Sequence, residues 1–299
     1  MSDLVTYERR GAAAVATINR RERRNAVDGP TAEALKAAYD AFVADDGARV
    51  LVLTGAGDQA FCAGADLKAL ETFGPRLSDP AGPLGFTRLT APKPTIAAIG
   101  GWCLAGGLEL ALWCDLRIAG EGSTLGFPER RWGVPLIDGG TQRLPRIVGM
   151  GRALDIILTG RMVPAEEALA IGLLTEIVPA GQHLDRALEM AEGLAAVPQV
   201  TMLADRRAAI EGFGLPLAAG LAVEAQSGME TFGAALEGAQ RFAGGEGRGG
   251  AGAGGAGLAS AGRARCSSSL ASQARTSSRL WIRYRSRPRR CACSPLAGR

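Results

Sequence analysis

Two glutamates, Glu109 and Glu129, and two loops of small residues are the features of this sequence that could do chemistry. The first loop, Phe61-Cys62-Ala63-Gly64-Ala65-Asp66-Leu67-Lys68, is a small-residue turn that enters a helix capped near Asp66. Small residues let a main chain come close to a ligand. The second loop, Gly100-Gly101-Trp102-Cys103-Leu104-Ala105-Gly106-Gly107-Leu108-Glu109, follows an apolar strand and opens an apolar helix. Unpaired N–H groups and the positive end of the helix dipole would face outward at Gly106 and Gly107, where an anion is stabilised. Either loop alone is ordinary turn chemistry. Glu109 lies in Leu108-Glu109-Leu110-Ala111-Leu112, where a lone charge is costly unless it serves a site. Glu129 is followed by Arg130 and Arg131, so by itself it reads equally as an ion-paired surface group. Two carboxylates sharing one water can divide proton traffic: one accepts a proton while the other, kept protonated by burial, donates one.

Elements at the right spacing must carry these groups. Residues 4–8 and 14–18 read as a strand pair, and a helix follows Asp28 and Pro30 with Leu35, Tyr39, Phe42 and Val43 on one face. The continuous apolar runs 50–53 and 95–99 each end in Gly or Thr-Gly, as strands covered on both faces do. Short strands at 116–119 and 124–127 precede a helical region with segments at 153–158, 164–170, 184–194, 200–211 and 217–236. The class is α/β, built from stacked β-β-α units with a helical C-terminal part.

With these elements in place the sequence resembles the crotonase, or enoyl-CoA hydratase/isomerase, superfamily from about Val5 to about Gly247. The resemblance is carried by Ala63-Gly64-Ala65-Asp66-Leu67, Gly106-Gly107-Leu108-Glu109-Leu110-Ala111, Gly126-Phe127-Pro128-Glu129 and Gly139-Gly140-Thr141-Gln142-Arg143-Leu144, in the family's order and spacing. It implies a β-β-α spiral core over 1–195, a helical trimerisation part over 196–246, and homotrimers that pair into homohexamers. It further implies an oxyanion hole from the N–H groups of Ala65 and Gly106, with Glu109 and Glu129 at the hydratases' acid/base positions. An acyl-CoA thioester is the implied substrate, with no separate cofactor and no metal. Its nucleotide would be met around Arg24, Ala26, Ala63, Asp66, Leu67 and Lys68, within the basic set Arg20, Arg21, Arg23, Arg24 and Lys68. One departure stands out: Ile137 occupies the place of a family glycine that contacts the reacting water. Asp138 beside it reads either as an extra acid/base group or as a cap on the helix that begins near Thr141. Acyl selectivity should depend on residues such as Leu70, Phe73, Leu84, Phe86, Trp102 and Leu136.

Composition narrows the alternatives. The net charge of +4 conceals two parts of opposite sign. Eleven of the 34 basic residues are arginines at or beyond Arg248, where no acidic residue occurs, leaving 23 basic against 30 acidic before them. Residues 247–299, rich in Gly, Ser, Ala and Arg, should be disordered, because such a segment buries too little apolar surface to offset its ordering entropy. That tail is read as without a selected role or, through the arginines around Trp281 and Tyr284, as a contact for nucleic acid or an acidic partner. Cys291-Ala-Cys293 lacks a second ligand pair for a metal. The start of the chain has no basic region before an apolar stretch, and no window is apolar enough to span a bilayer. Cys62, Cys103 and Cys114 suit buried thiols in the reducing cytoplasm. His183, the only histidine, excludes a His-based triad and reads as a surface residue at a helix start. Three functions compete: hydration of a trans-2-enoyl-CoA, isomerisation of an enoyl- or dienoyl-CoA on the same fold, and non-catalytic binding of CoA or RNA. A dinucleotide fold is disfavoured, since no strand runs into Gly-x-Gly-x-x-Gly.

Overall fold

The computed structural model describes residues 3–246; the expectations placed on 247–299, including Trp281, Tyr284 and Cys291-Ala-Cys293, lie outside the described residues. The chain opens with β1 (Val5–Arg10), β2 (Ala13–Ile18) and α1 (Gly29–Ala44). Helix α1 starts at the signal in its sequence: the Asp28 carboxylate accepts the Thr31 N–H at 2.9 Å, and Leu35, Tyr39 and Phe42 are buried. Val43, expected on the same face, is exposed at the edge of that face, a step of about 100° round the helix from Phe42.

Next come β3 (Val50–Gly55), β4 (Ala60–Cys62), the 3-10 helix Leu67–Arg76, β5 (Thr95–Ile99), β6 (Trp102–Leu104) and α2 (Gly106–Trp113). They are followed by β7 (Leu116–Gly120), β8 (Thr124–Gly126), the 3-10 helix Pro128–Trp132, α3 (Gly140–Val148) and α4 (Met150–Thr159). The remainder is β9 (Met162–Pro164), α5 (Ala165–Ala170), β10 (Glu176–Val178), α6 (His183–Ala196), α7 (Gln199–Gly212) and α8 (Leu217–Ala243). One sheet has the order β1-β2-β3-β5-β7-β10 and a second has β4-β6-β8-β9. Successive units each place one strand in the larger sheet and the next in the smaller. The pairs β3·β5, β5·β7, β4·β6 and β6·β8 are all parallel, so the chain winds as a spiral of β-β-α units.

Every residue of β3 and β5 is buried, as their continuous apolar runs require. Alternate side chains go to opposite faces. Val50, Val52, Ile96 and Ala98 pack with Ala187, Met190 and Ala191 of α6. Leu51, Leu53, Ala97 and Ile99 join Leu35, Phe42, Phe61 and Leu108 in the main core. Three residues are too short to display a period: of the strands of that length only β8 is legible in the sequence, and β4, β6, β9 and β10 are not. His183 does begin a helix, but it is buried rather than on the surface. A Cβ on Gly100 would stand only 2.7 Å from its ring, so two glycine-bearing strand ends make room for the imidazole. Helix α7 is fixed to the core by Arg206, which donates to both Asp115 carboxylate oxygens at 2.9 and 3.0 Å and to the Ala91 carbonyl at 2.8 Å. Helix α8 pairs with α7, and Ser227 is its only buried side chain.

Candidate active site

A cavity of about 500 Å³ opens between the first small-residue loop, the start of α2 and the segment 128–138. Ala65, Gly106, Glu109, Glu129 and Asp138 all line it. Two strand ends hold the amides at its floor. Strand β4 leads into Ala63-Gly64-Ala65, which is tied to the neighbouring chain by Val27 N–H to the Gly64 carbonyl and by Asp66 N–H to the Val27 carbonyl, each at 2.8 Å. Strand β6 leads into Ala105, whose φ of 53° and ψ of −128° turn the chain sharply into α2. That conformation is unfavourable for a residue with a side chain, of order 1–3 kcal/mol, and it persists because the flanking strand and helix fix both ends.

Gly64 has φ +93°, and a Cβ there would lie 2.7 Å from the Ala105 methyl and 2.9 Å from the Gly106 nitrogen. A Cβ on Gly106 would in turn be 3.6 Å from the Ala65 nitrogen. The glycines therefore bring the Ala65 and Gly106 amides side by side. Neither N–H has an acceptor among the described residues.

Glu109 is almost completely buried. Its Oε1 accepts the Asp138 N–H at 3.0 Å and the Gly140 N–H at 2.7 Å, while Oε2 has no partner among the described residues. Gly140 leaves room for this bond, since a Cβ there would stand 3.0 Å from both Glu109 Oε1 and the Phe127 ring and would press on the carboxyl. Burial pushes the Glu109 carboxyl up to about 8, against the pull of the Gly140 and Asp138 N–H groups and with help from the nearby Asp138 and Glu129 charges. Glu129 stands on the short 3-10 helix, which Gly133 ends in the left-handed conformation. It is buried, and among the described residues neither carboxylate oxygen has a hydrogen-bond partner. Burial pushes it up to about 7, opposed by its own N–H and by Arg130. An unpartnered buried carboxylate is expensive unless something else completes it. A cavity with two free amides, the unpartnered Glu129 carboxyl and the remaining oxygen of Glu109 can hold a polarised carbonyl oxygen, with a water and protons beside it.

Other expected positions fare differently. Asp138 does not cap α3: Gly139 is the N-cap and no side chain bonds there. Its Oδ1 instead accepts the Leu84 N–H at 3.0 Å and the Thr87 hydroxyl. Arg24 and Lys68 are exposed, and the Arg24 carbonyl accepts the Ala63 N–H at 3.1 Å, which sets Arg24 beside the first loop. Asp66 and Arg20 are spent on each other. Arg20 Nη2 donates to Asp66 at 3.0 Å and lies 2.9 Å from Asp28, Arg20 Nη1 donates to the Ala26 carbonyl, and Asp66 also takes the Lys68 N–H. This leaves Arg20 out of the exposed basic set. Ala63 and Leu67 line the cavity, whereas Ala26 is buried behind the loop. Leu70, Phe73, Leu84 and Leu136 line it as expected, but Phe86 and Trp102 do not. Phe86 is core, its ring 4.4 Å from that of Trp113 and 5.6 Å from that of Tyr39. Trp102 is partly exposed on the short strand β6. Leu77, Trp132, Val134 and Pro135 also line it; they stand at the ends of short 3-10 helices or in the loop that follows, where no period reveals them in the sequence.

Residues 8–246 match the family described as enoyl-CoA hydratase/isomerase, and the chain belongs to it. Among its relatives are the short-chain-enoyl-CoA hydratase of Clostridium acetobutylicum, 35% identical over 76% of this chain and 89% of that protein, and the (E)-benzylidenesuccinyl-CoA hydratase of Thauera aromatica, 36% identical over 73% and 86%. The crystal structure of enoyl-CoA hydratase EchA1 from Mycobacterium marinum superposes with a TM-score of 0.76 at 37% identity, covering 81% of this chain and 96% of that one. The fold is thus the crotonase spiral.

Proposed function

We propose that this chain is an enoyl-CoA hydratase, a hydro-lyase that adds water reversibly and syn across a trans-2-enoyl-CoA to give a 3-hydroxyacyl-CoA in acyl-CoA degradation. The observation that carries the reading is the buried, unpartnered Glu129 carboxylate sharing a cavity with Glu109 and two free amides. The thioester oxygen gains negative charge as water attacks C3, and the Ala65 and Gly106 N–H groups stabilise it with the help of the α2 dipole. One carboxylate takes the proton from water while the other delivers a proton to C2, so the pair returns to its starting state after protons redistribute. The chemistry needs no cofactor beyond the CoA carried by the substrate. Arg24 and Lys68, exposed beside the first loop, suit the nucleotide phosphates.

The test follows the loss of conjugated enoyl-thioester absorbance from crotonyl-CoA. Glu109→Gln and Glu129→Gln should each lose on the order of 100-fold or more in kcat. Turnover by both variants at the parent rate would sink the hydratase mechanism. An isomerase reading is favoured by Asp138 and Ile137 lining the cavity, Ile137 at the place where the family resemblance expects a glycine; conversion of a 3-enoyl-CoA without hydration of crotonyl-CoA would support it instead. We further propose a trimer or hexamer assembled through the C-terminal helices, and residence in the cytoplasm, which suits the buried free thiols Cys62, Cys103 and Cys114. Among the described residues no helix is long and apolar enough to cross a membrane.

A further inference from the structure

Asp138 sits at the junction of two parts of the site. On one side its main-chain N–H donates to Glu109 Oε1 at 3.0 Å. On the other its carboxylate takes the Leu84 N–H at 3.0 Å and the Thr87 hydroxyl. Arg143 reinforces the junction, donating to the Asp138 carbonyl at 2.9 Å and to the Thr87 carbonyl at 2.6 Å. The turn that Asp138 grips is part of the cavity wall: Leu84 lines it, and a Cβ on Gly106 would fall 2.9 Å from Leu84 Cδ1. The far side of this turn is anchored independently by Phe86 against Tyr39 and Trp113, and by Trp113 Nε1 donating to the Leu89 carbonyl at 2.7 Å. Among the described residues the turn is tied to the segment that holds Glu109 by the bonds of Asp138 and Arg143 and by a longer one, at 3.4 Å, from the exposed Arg88 to the Ile137 carbonyl.

We propose that Asp138 is a positioning residue for the reaction: its carboxylate clamps the 84–87 turn over the cavity, and that clamp aims its own N–H at the Glu109 carboxyl. The two alternatives for Asp138 fit less well. It bonds no helix end, and its Oδ1 is already engaged by two donors rather than turned to a substrate. A misplacement of about 1 Å in such a site can cost on the order of 100-fold in rate.

The inference rests on the hydratase reading, and hydration of crotonyl-CoA by the parent enzyme is the control that separates the two: without it the reading fails, with it only the role of Asp138 is at issue. Asp138→Asn keeps an acceptor oxygen for Leu84 and Thr87, whereas Asp138→Ala removes it. The expected result is a loss of about 10- to 100-fold in kcat for the alanine variant with a much smaller change in KM, and a loss of no more than about 3-fold for the asparagine variant. Equal, severe losses in both would make Asp138 a proton-transfer group on the substrate and overturn the proposal. Unchanged kcat in both would overturn it as well. Should the alanine variant fail to fold by circular dichroism, Thr87→Val, which removes one of the two donors, is expected to lower kcat in the same direction; a parental kcat there overturns the proposal.

Discussion

At the scale of the residue, the two glutamates are held where neither ionises as it would in water. Burial raises Glu109 to about 8 and Glu129 to about 7, so near neutral pH the pair retains a proton that it can deliver and a carboxylate that can accept one. Below both values no base is present, and above both no acid. Hydration measured as kcat/KM should therefore follow a bell with limbs near about 7 and about 8; a flat profile through that window would contradict the pairing. The same burial costs stability. A carboxyl whose folded value is raised binds more protons folded than unfolded, so its contribution is lost as pH rises from its ordinary value of 4.5 through about 8. Glu109→Gln keeps an oxygen for the Asp138 and Gly140 N–H groups but carries no charge to desolvate. It should be nearly inactive yet melt about 2–4 °C higher than the parent above about pH 8, by differential scanning calorimetry. A lower melting temperature would mean that Glu109 is structural.

At the scale of the element, the site depends on two strand-to-helix turns meeting where only glycine fits. Gly64→Ala would force a methyl at positive φ against Ala105 and the Gly106 amide. The expected outcome is a fall of about 100- to 1000-fold in kcat, the cost of disturbing an oxyanion donor, with the far-ultraviolet circular dichroism of the parent retained. A variant with parental kcat would show that the Ala65 and Gly106 amides do not act on the reacting oxygen. Strands β4 and β6 place these turns next to each other through their parallel pairing, in which Cys62 lies opposite Cys103. The turns were legible in the sequence because glycine marks a conformation that other residues avoid. The short strands that bring them together were not, since their three-residue length shows no alternation and their pairing is non-local.

At the scale of the whole molecule, α8 presents Leu217, Leu221, Met229, Phe232, Leu236 and Phe242 to solvent, more apolar surface than a solitary helical hairpin needs. Covering it by other copies of the chain predicts a mass of three or six chains by light scattering, and Met229→Glu with Phe232→Glu should reduce it to one. A single-chain mass for the parent would leave the exposed face unexplained by self-assembly. The described residues that line the active cavity all fall between Ala63 and Asp138, so a chain ending at residue 247 should retain hydration within about 2-fold. Loss of RNA affinity with activity kept would mark residues 248–299 as an attached binding segment.

The sequence by itself determined the α/β class, the strong strands and helices, the two glycine turns and the identity of both glutamates. Most of these are written in local features, hydrophobic period, residue size and, for Glu109, an acidic side chain in an apolar run; Glu129, followed by two arginines, stood out only through the motif Gly126-Phe127-Pro128-Glu129 that the family resemblance supplied. Only the tertiary structure decided that Asp138 grips Leu84 and Thr87 rather than a helix end, that Asp66 is consumed by Arg20, that Phe86 is core and that His183 is buried. The two carboxylate outcomes depend on partners 46 to 54 positions apart and the two burials on elements that meet only in space, and a hydrogen bond or a burial is a property of the pair, not of either residue's place in the chain.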